Sequence, residues 1–246
     1  MYAPNASPSR QTMAVVFESP THLALRELTL VEPTATDVVV TMQYSGISTG
    51  TEKLLFTGRM PPFPGLGYPL VPGYEGVGIV HEAGADSGRQ VGDVVYVPGS
   101  KGFTEARGLF GGQAAQVVVP GVRTIALADH LGERGALFAL AATAHHCLEP
   151  DPARHLYRLP QLVVGHGALG RLIARLCVLY GAPPPTVWET NPVRMTGARG
   201  YQVLHPDDDP NTSYRVICDV SGADGILDQL IARLVPGGEI VLGGFY

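Results

Sequence analysis

The chain has no long apolar run, no block of Lys or Arg and only three cysteines, and each shortage removes a class of function. No stretch reaches the roughly 20 apolar residues that a membrane-crossing helix needs, so no membrane span is expected. Lys and Arg number 17 against 22 Asp and Glu, a formal net charge of −5. That balance, without a basic cluster, argues against nucleic acid or an anionic membrane surface as a partner. Cys147, Cys177 and Cys218 are odd in number, widely spaced and without a C-x-x-C. They imply no disulfide framework and read as reduced thiols in a cytoplasmic setting, Cys177 and Cys218 in the core. Residues 1–12, MYAPNASPSRQT, lack the apolar stretch of a secretory signal and read as a disordered lead, with Met13 an alternative start.

What is present is enough for real cores: 246 residues, 45% of them hydrophobic, punctuated by 31 glycines and 21 prolines. Short β-branched runs at 14–17, 23–28, 37–42, 77–80, 93–97 and 116–119 predict a β-rich first half. The stretch 61–69 is too Pro-rich for helix or sheet and reads as a surface loop. From about residue 129 the character changes. An Ala- and Leu-rich helix is expected over 132–148, closed by Glu149-Pro150-Asp151-Pro152. Beyond it strands at 162–164, 186–188, 201–204, 216–220 and 239–243 alternate with helices at 169–180 and 226–234. That alternation predicts an α/β unit with a parallel, doubly wound, Rossmann-type sheet. The division expected is therefore a lead at 1–12, a first domain with its connecting helix at 13–150, and a nucleotide-binding domain at 151–246. Only three residues follow the last strand, which reads as a truncated sheet.

The most informative motif is Gly165-His166-Gly167-Ala168-Leu169-Gly170, a G-x-G-x-x-G between an apolar strand and an amphipathic helix. Gly165 suits a tight turn, Gly167 lets backbone approach a pyrophosphate, and Gly170 lets the helix lie close on the strand. The N–H groups at Ala168 and Leu169 open the helix and favour phosphate. Glu189 ends the next strand, and 189 − 165 = 24 is close to the roughly 20-residue offset of a ribose-binding acid. Glu189 would repel a 2′-phosphate, and the nearest base is Arg194, so NAD is expected rather than NADP. His166 is read as packing near the phosphates.

A β-rich half joined by a helix to a nucleotide-binding half resembles the medium-chain dehydrogenase/reductase superfamily, which implies a GroES-like barrel for the first domain. Members with catalytic zinc carry a Cys after a Gly-Ile/Val pair, a Gly-His-Glu and a second Cys on the connecting helix. The matching stretches here are Ser45 to Glu52 and Pro72 to Gly78. By that match Ser48 replaces the first Cys and Tyr74 the His. Thr143 matches the Thr of the connecting helix, a cofactor-binding position, and Ala139 stands where the second Cys would be. A hydroxyl, a phenol and a methyl hold Zn²⁺ poorly at neutral pH, so no metal is expected.

A closer resemblance runs from about Met13 to Tyr246. The segments SGISTGTEKLLFTGRMPPFPGLGYPLVPGYEGVG, ARGLFGG, LAATAHHCL, VVGHGALGRL, VWETNP and ICDVSG look like those of the 3-hydroxyethyl bacteriochlorophyllide a dehydrogenases of bacteriochlorophyll biosynthesis. The resemblance implies NAD-dependent oxidation of the 3-(1-hydroxyethyl) group of a magnesium tetrapyrrole to 3-acetyl. Without zinc, a base or proton relay must take the hydroxyl proton. Candidates are Ser48 and Thr51 as relay, or as caps of a helix after a strand, and Tyr74 as donor to the alkoxide, or as pocket lining. His145 is a candidate base. His145 and His146 point about 100° apart on a helix, so at most one serves, and packing is the alternative for each. Glu75 is read as structural. Glu52, Phe63, Leu66 and Tyr68 are expected to line a wide apolar substrate pocket, although the last three could instead pack their loop down. Other readings are a zinc-independent quinone or enone reductase, or a non-catalytic pigment or nucleotide carrier; a homo-oligomer is compatible with all of them.

Overall fold

The computed structural model describes residues 9–149 and 158–244. The chain packs as two units that divide between Ala139 and Leu140. In the first unit β1 (Gln11–Ser19), β2 (His22–Thr29), β3 (Asp37–Ser45) and a short helix α1 (Thr51–Thr57) are followed by β4 (Leu70–Val71), β5 (Gly76–Ala83) and β6 (Val94–Val97). Then come β7 (Arg107–Gly108), β8 (Gln116–Pro120) and β9 (Ile125–Ala126). They form a four-stranded sheet, β2-β1-β4-β7, and a five-stranded sheet, β8-β3-β5-β6-β9. β3 is the spine of the second sheet. It has a partner on either side, and Val38, Val39 and Val40 are all fully buried, so this strand reads as a continuous apolar run rather than an alternation.

The register between β3 and β5 brings two distant segments together. Ser45 pairs with Gly76, and a bulge between Met42 and Tyr44 bends the end of β3. The residues just outside the ladder, Gly46 and Glu75, therefore face each other, with Gly46 N–H donating to the Glu75 carbonyl at 2.8 Å. From there one chain turns into α1 and the other arrives through Tyr74.

The second unit holds all but the first two residues of α2 (Phe138–Leu148), then β10 (Leu162–Val164), α3 (Ala168–Leu179), β11 (Thr186–Trp188), β12 (Gln202–Leu204), β13 (Tyr214–Asp219), α4 (Leu227–Ile231) and β14 (Leu234–Leu242). Its strands are all parallel in the order β12-β11-β10-β13-β14. β10 is fully buried at the centre, and α3 turns Ile173, Ala174 and Cys177 onto it. All three cysteines are buried and unbridged.

The structure departs from the sequence reading in several places. β1 begins at Gln11, inside the stretch read as a disordered lead, because Gln11 pairs with Thr29; residues 1–8 lie outside the described set. The helix expected over 132–148 is two pieces, a 3₁₀ stretch at Asp129–Leu137, itself kinked at Gly132 (φ 50, ψ −131), and then α2 from Phe138. Its expected stop at Pro150 to Pro152 also lies outside the described residues. The helix expected over 226–234 is only α4, because the Arg233 carbonyl already accepts from Tyr214 N–H at 2.8 Å and the chain enters β14 at Leu234. The boundary falls at 139/140 rather than 150/151. Ala144, Cys147 and Leu148 of α2 pack with Val163, Ile173 and Cys218, so most of the connecting helix belongs to the second core.

Candidate active site

In the first unit, α1 starts without a side-chain cap: Gly50 occupies the N-cap position and has no side chain to accept from the first N–H groups. The hydroxyls of Ser48 and Thr51 are thus not used as helix caps. Tyr74 O–H instead donates to Ser48 Oγ at 2.8 Å, and Thr51 Oγ1 lies 3.5 Å from the same phenol oxygen. Three hydroxyls from two segments meet at one point. The Tyr74 ring is held edge-on by Phe110, centroids 5.0 Å apart, and its carbonyl accepts from Tyr96 O–H at 2.6 Å. Phe110 itself sits at φ 45, in the left-handed region that a side chain rarely adopts, a strain kept beside the hydroxyl cluster.

Behind the hydroxyls lie two carboxylates, Glu52 and Glu75, each 4% exposed. Glu52 Oε2 accepts from Gln113 Nε2 at 3.1 Å, while Oε1 is buried without a partner among the described residues. Glu75 Oε1 is in the same condition. Burial pushes the Glu52 carboxyl up to about 7; the Gln113 amide opposes this and the Glu75 charge adds to it. Burial also raises Glu75, with the Tyr74 phenol pulling the other way.

In the same unit Phe63 is exposed on the Pro-rich loop, whereas Leu66 and Tyr68 pack against the cluster of Phe17, Leu55, Met60 and Leu70. The Tyr68 hydroxyl donates to the Leu55 carbonyl. Of the four residues expected to line the substrate pocket, Phe63 alone is left on the surface.

In the second unit the register aligns Val164 with Trp188 and with Asp219, so Gly165, Glu189 and Val220 emerge together at the carboxyl edge of the sheet. The strand order reverses between β10 and β13 at that point, where ligands bind in such folds. Gly165 has φ 100, and any Cβ there would stand 3.1 Å from Ser221 Cα. A Cβ on Gly170 would overlap the Gly165 carbonyl, so α3 lies directly on the turn. Gly167, the N-cap of α3, faces open space: nothing stands within 4 Å of where its Cβ would be. The first N–H groups of a 12-residue helix, starting at Ala168 and Leu169, open there. These residues fit a dinucleotide pyrophosphate.

Glu189 is 4% exposed and saturated. Its Oε1 accepts from Thr190 and Asn191 N–H and from Arg194 Nη2; its Oε2 accepts from His166 N–H and Arg194 Nε. Burial raises the carboxyl, but Arg194 and the amides outweigh it and hold the group below the usual range. His166 is fully buried: its Nδ1 lies 2.6 Å from the Arg194 carbonyl, which can only accept, and its Nε2 2.8 Å from Tyr201 O–H. It is therefore a neutral ring with the proton on Nδ1, and burial lowers its pKa. Arg171 donates to the carbonyls of His166, Arg194 and Thr196 and ties the same segment to α3.

The predicted residues are thus brought together in two sets, Ser48, Thr51, Tyr74 and Glu52 in one unit and the glycine turn with Glu189 in the other. His145 belongs to the second unit, where its Nδ1 is 3.5 Å from Glu149 and its ring meets Tyr180 edge-on; His146 Nδ1 is 2.8 Å from the same carboxylate. Thr143 is exposed on α2, and Ala139 is half-buried at its start. Among the described residues no three His, Cys, Asp or Glu side chains gather as a metal group. At the positions matched to zinc ligands Ser48 offers a hydroxyl, Tyr74 a phenol and Ala139 no donor, which suits zinc poorly. The sequence reading missed Gln113, Phe110, Arg171 and Tyr201. A Gly-Gly pair before Gln113 was the sole local signal, since each acts across long separations.

Comparison with known proteins places these features. Residues 34–129 match the model of the alcohol dehydrogenase GroES-like domain. The 2-desacetyl-2-hydroxyethyl bacteriochlorophyllide A dehydrogenase of Rhodobacter capsulatus is 52% identical over 237 residues, covering 96% of this chain and 74% of that protein. Among solved structures, the acetophenone reductase of Geotrichum candidum in complex with NAD superposes with TM-score 0.79 at 17% identity, over 97% of this chain and 77% of that one. The 2R,3R-butanediol dehydrogenase of Bacillus subtilis gives TM-score 0.74 at 22% identity, over 93% and 76%. At such identities the two structures establish the fold alone.

Proposed function

The chain belongs to the family of 2-desacetyl-2-hydroxyethyl bacteriochlorophyllide A dehydrogenases, and from that premise we propose that it oxidises the hydroxyethyl carbinol of a bacteriochlorophyllide to an acetyl group, with NAD as acceptor and without zinc. The observation that carries this reading is the Tyr74 to Ser48 hydrogen bond of 2.8 Å with Thr51 beside it. Hydroxyls that can both give and accept a proton stand at the positions matched to two metal ligands.

A nicotinamide cofactor, when bound, takes the carbinol hydride. The second unit binds and orients it: the α3 N-terminus and the open backbone at Gly167 suit the pyrophosphate. Glu189 suits a ribose, and its buried negative charge disfavours a 2′-phosphate while Arg194, the nearest base, is engaged with it. The first unit handles the alcohol oxygen. Ser48 accepts the hydroxyl proton, and Tyr74, hydrogen-bonded to Ser48, is the next group to take it on. The carbinol carbon is attached to a conjugated macrocycle, so conjugation stabilises the carbonyl as it forms and less electrophilic help is needed. Phe63, exposed on its loop, is the apolar contact for the ring.

The test is direct. Protein is mixed with NAD and the hydroxyethyl bacteriochlorophyllide, and the spectrum is followed. A red shift of the pigment together with growth of the reduced-nicotinamide band is expected. Tight pigment binding without turnover would point to a carrier, and turnover only with NADPH and enones to a reductase. Activity removed by a chelator together with stoichiometric zinc would overturn the metal-free step.

A further inference from the structure

The hydroxyl cluster needs somewhere to send its proton, and the two carboxylates behind it have features that a merely structural pair would not require. Glu52 and Glu75 come from different segments, α1 and the residue before β5, yet both converge on Gly46. The Gln113 amide bridges the Gly46 carbonyl, at 3.4 Å, and Glu52 Oε2, at 3.1 Å. On the other side the Glu75 carboxylate fills the space over Gly46, where any Cβ would overlap Oε2 and stand 2.9 Å from the Glu75 Cβ. Among the described residues no cation is paired with either carboxylate, and each keeps one buried oxygen without a partner. The groups around them are neutral. Tyr74 lies beside Glu75, Gln113 is an amide, and burial, with Glu75 and Tyr74 adding, pushes Tyr96 up to about 12. Two buried carboxylates served by one amide and one phenol donor cannot both stay ionised at low cost, and sharing a proton relieves them.

We propose that Glu52 and Glu75 are a proton-sharing pair that receives the proton of the substrate alcohol through Ser48 and Tyr74. The proposal rests on the alcohol-oxidation reading and adds the terminus of its proton path. In the step, the C–H bond of the carbinol breaks and its electron pair leaves as hydride to the nicotinamide. The alcohol O–H donates to Ser48, Ser48 to Tyr74 and Tyr74 to Glu75, the hydroxyl rotors reversing from their resting direction. Ser48 and Tyr74 each gain one proton and lose one. One O–H bond is lost from the alcohol and one is formed on Glu75, while the proton already held sits on Glu52. The pair passes from one negative charge to none and returns the proton to solvent after the ketone leaves. Glu52 is a positioning residue here, since it holds the proton already bound and leaves Glu75 as the one ionised acceptor.

The experiment compares wild type with Glu52→Gln and Glu75→Gln in three measurements: the pH profile of kcat/KM with NAD and the hydroxyethyl pigment, NAD binding, and infrared titration of the carbonyl band that only a protonated carboxyl gives. The wild type is expected to show that band at neutral pH and an activity that rises as the pair loses its second proton. Glu52→Gln should lose the band, because the proton already held sits on Glu52, and should leave the activity limb close to that of wild type, because glutamine is as neutral as the protonated Glu52 it replaces. Glu75→Gln should lower kcat by about 10²-fold with NAD affinity unchanged. A Glu52→Gln protein with the band intact overturns the pair, and this variant decides alone if Glu75→Gln does not fold. A wild type that shows the band but never oxidises the pigment overturns the functional reading instead, and the relay with it.

Discussion

Glu189 and Arg194 form a two-point ion pair, Nε 2.9 Å from Oε2 and Nη2 3.0 Å from Oε1, at the end of β11. Together with three backbone N–H groups the guanidinium fills the acceptor positions of the carboxylate. A ribose must therefore exchange with part of this set. Glu189→Ala removes the acceptor and leaves Arg194 and the His166, Thr190 and Asn191 amides without it. NAD binding is expected to weaken by about 1.5–3 kcal/mol, the worth of hydrogen bonds to a charged group. Calorimetric titration with NAD measures this directly, and an unchanged affinity would take Glu189 out of the site.

Removing one oxygen from the hydroxyl cluster separates chemistry from binding. Tyr74→Phe keeps the ring and its edge contact with Phe110 but loses the hydrogen bond to Ser48. It should lower kcat by about 10²-fold, with the NAD dissociation constant unmoved. Ser48→Ala should do the same. Equal rates in wild type and both variants would mean that these hydroxyls carry no proton.

Gly170 tests the architecture of the turn. An added Cβ overlaps the Gly165 carbonyl, which is backbone and cannot swing away. Gly170→Ala should cost about 1–3 kcal/mol of stability, the range for overpacking, and should weaken NAD binding because α3 is pushed off the turn. Gly167→Ala meets no atom within 4 Å in the protein, so its stability should stay near that of wild type. Chemical denaturation of both variants, with NAD titrations alongside, distinguishes these two outcomes.

The glycine turn was legible because its requirements are local. Three glycines within six residues, an apolar strand before and an amphipathic helix after can be read from a short window. The parallel sheet was legible for the same reason, strand and helix periods alternating. The Glu52 and Glu75 pair was not. Residue 52 looked like part of a pocket and residue 75 like a structural neighbour, since the features that join them are a register between β3 and β5 and an amide 61 positions from Glu52. Gly132 opens the Ala- and Leu-rich run without disturbing its apolar pattern, and only its backbone angles show the kink inside the 3₁₀ stretch. The α1 start illustrates the reverse case. Ser48 and Thr51 have the spacing of capping residues, yet Tyr74 arrives from 26 positions away to engage Ser48 instead.

The raised Glu52 carboxyl has a consequence for stability that does not depend on turnover. Its pKa goes from 4.5 to about 7 on folding, so the folded chain binds the proton more tightly than the unfolded one. The stability this contributes is present below the unfolded value and is lost as pH rises from about 4.5 through about 7. At pH 8 the protein carries the cost of a buried, ionised carboxylate, on the order of 3 kcal/mol from that shift. Glu52→Gln cannot ionise, and its carbonyl oxygen still accepts from Gln113. The variant should therefore match wild type at pH 4 and exceed it at pH 8 by a few kcal/mol, with the difference growing across that window. Urea unfolding at a series of pH values checks the slope. A difference that is constant with pH would mean that Glu52 titrates alike in the folded and unfolded chain, and that its burial perturbs it little.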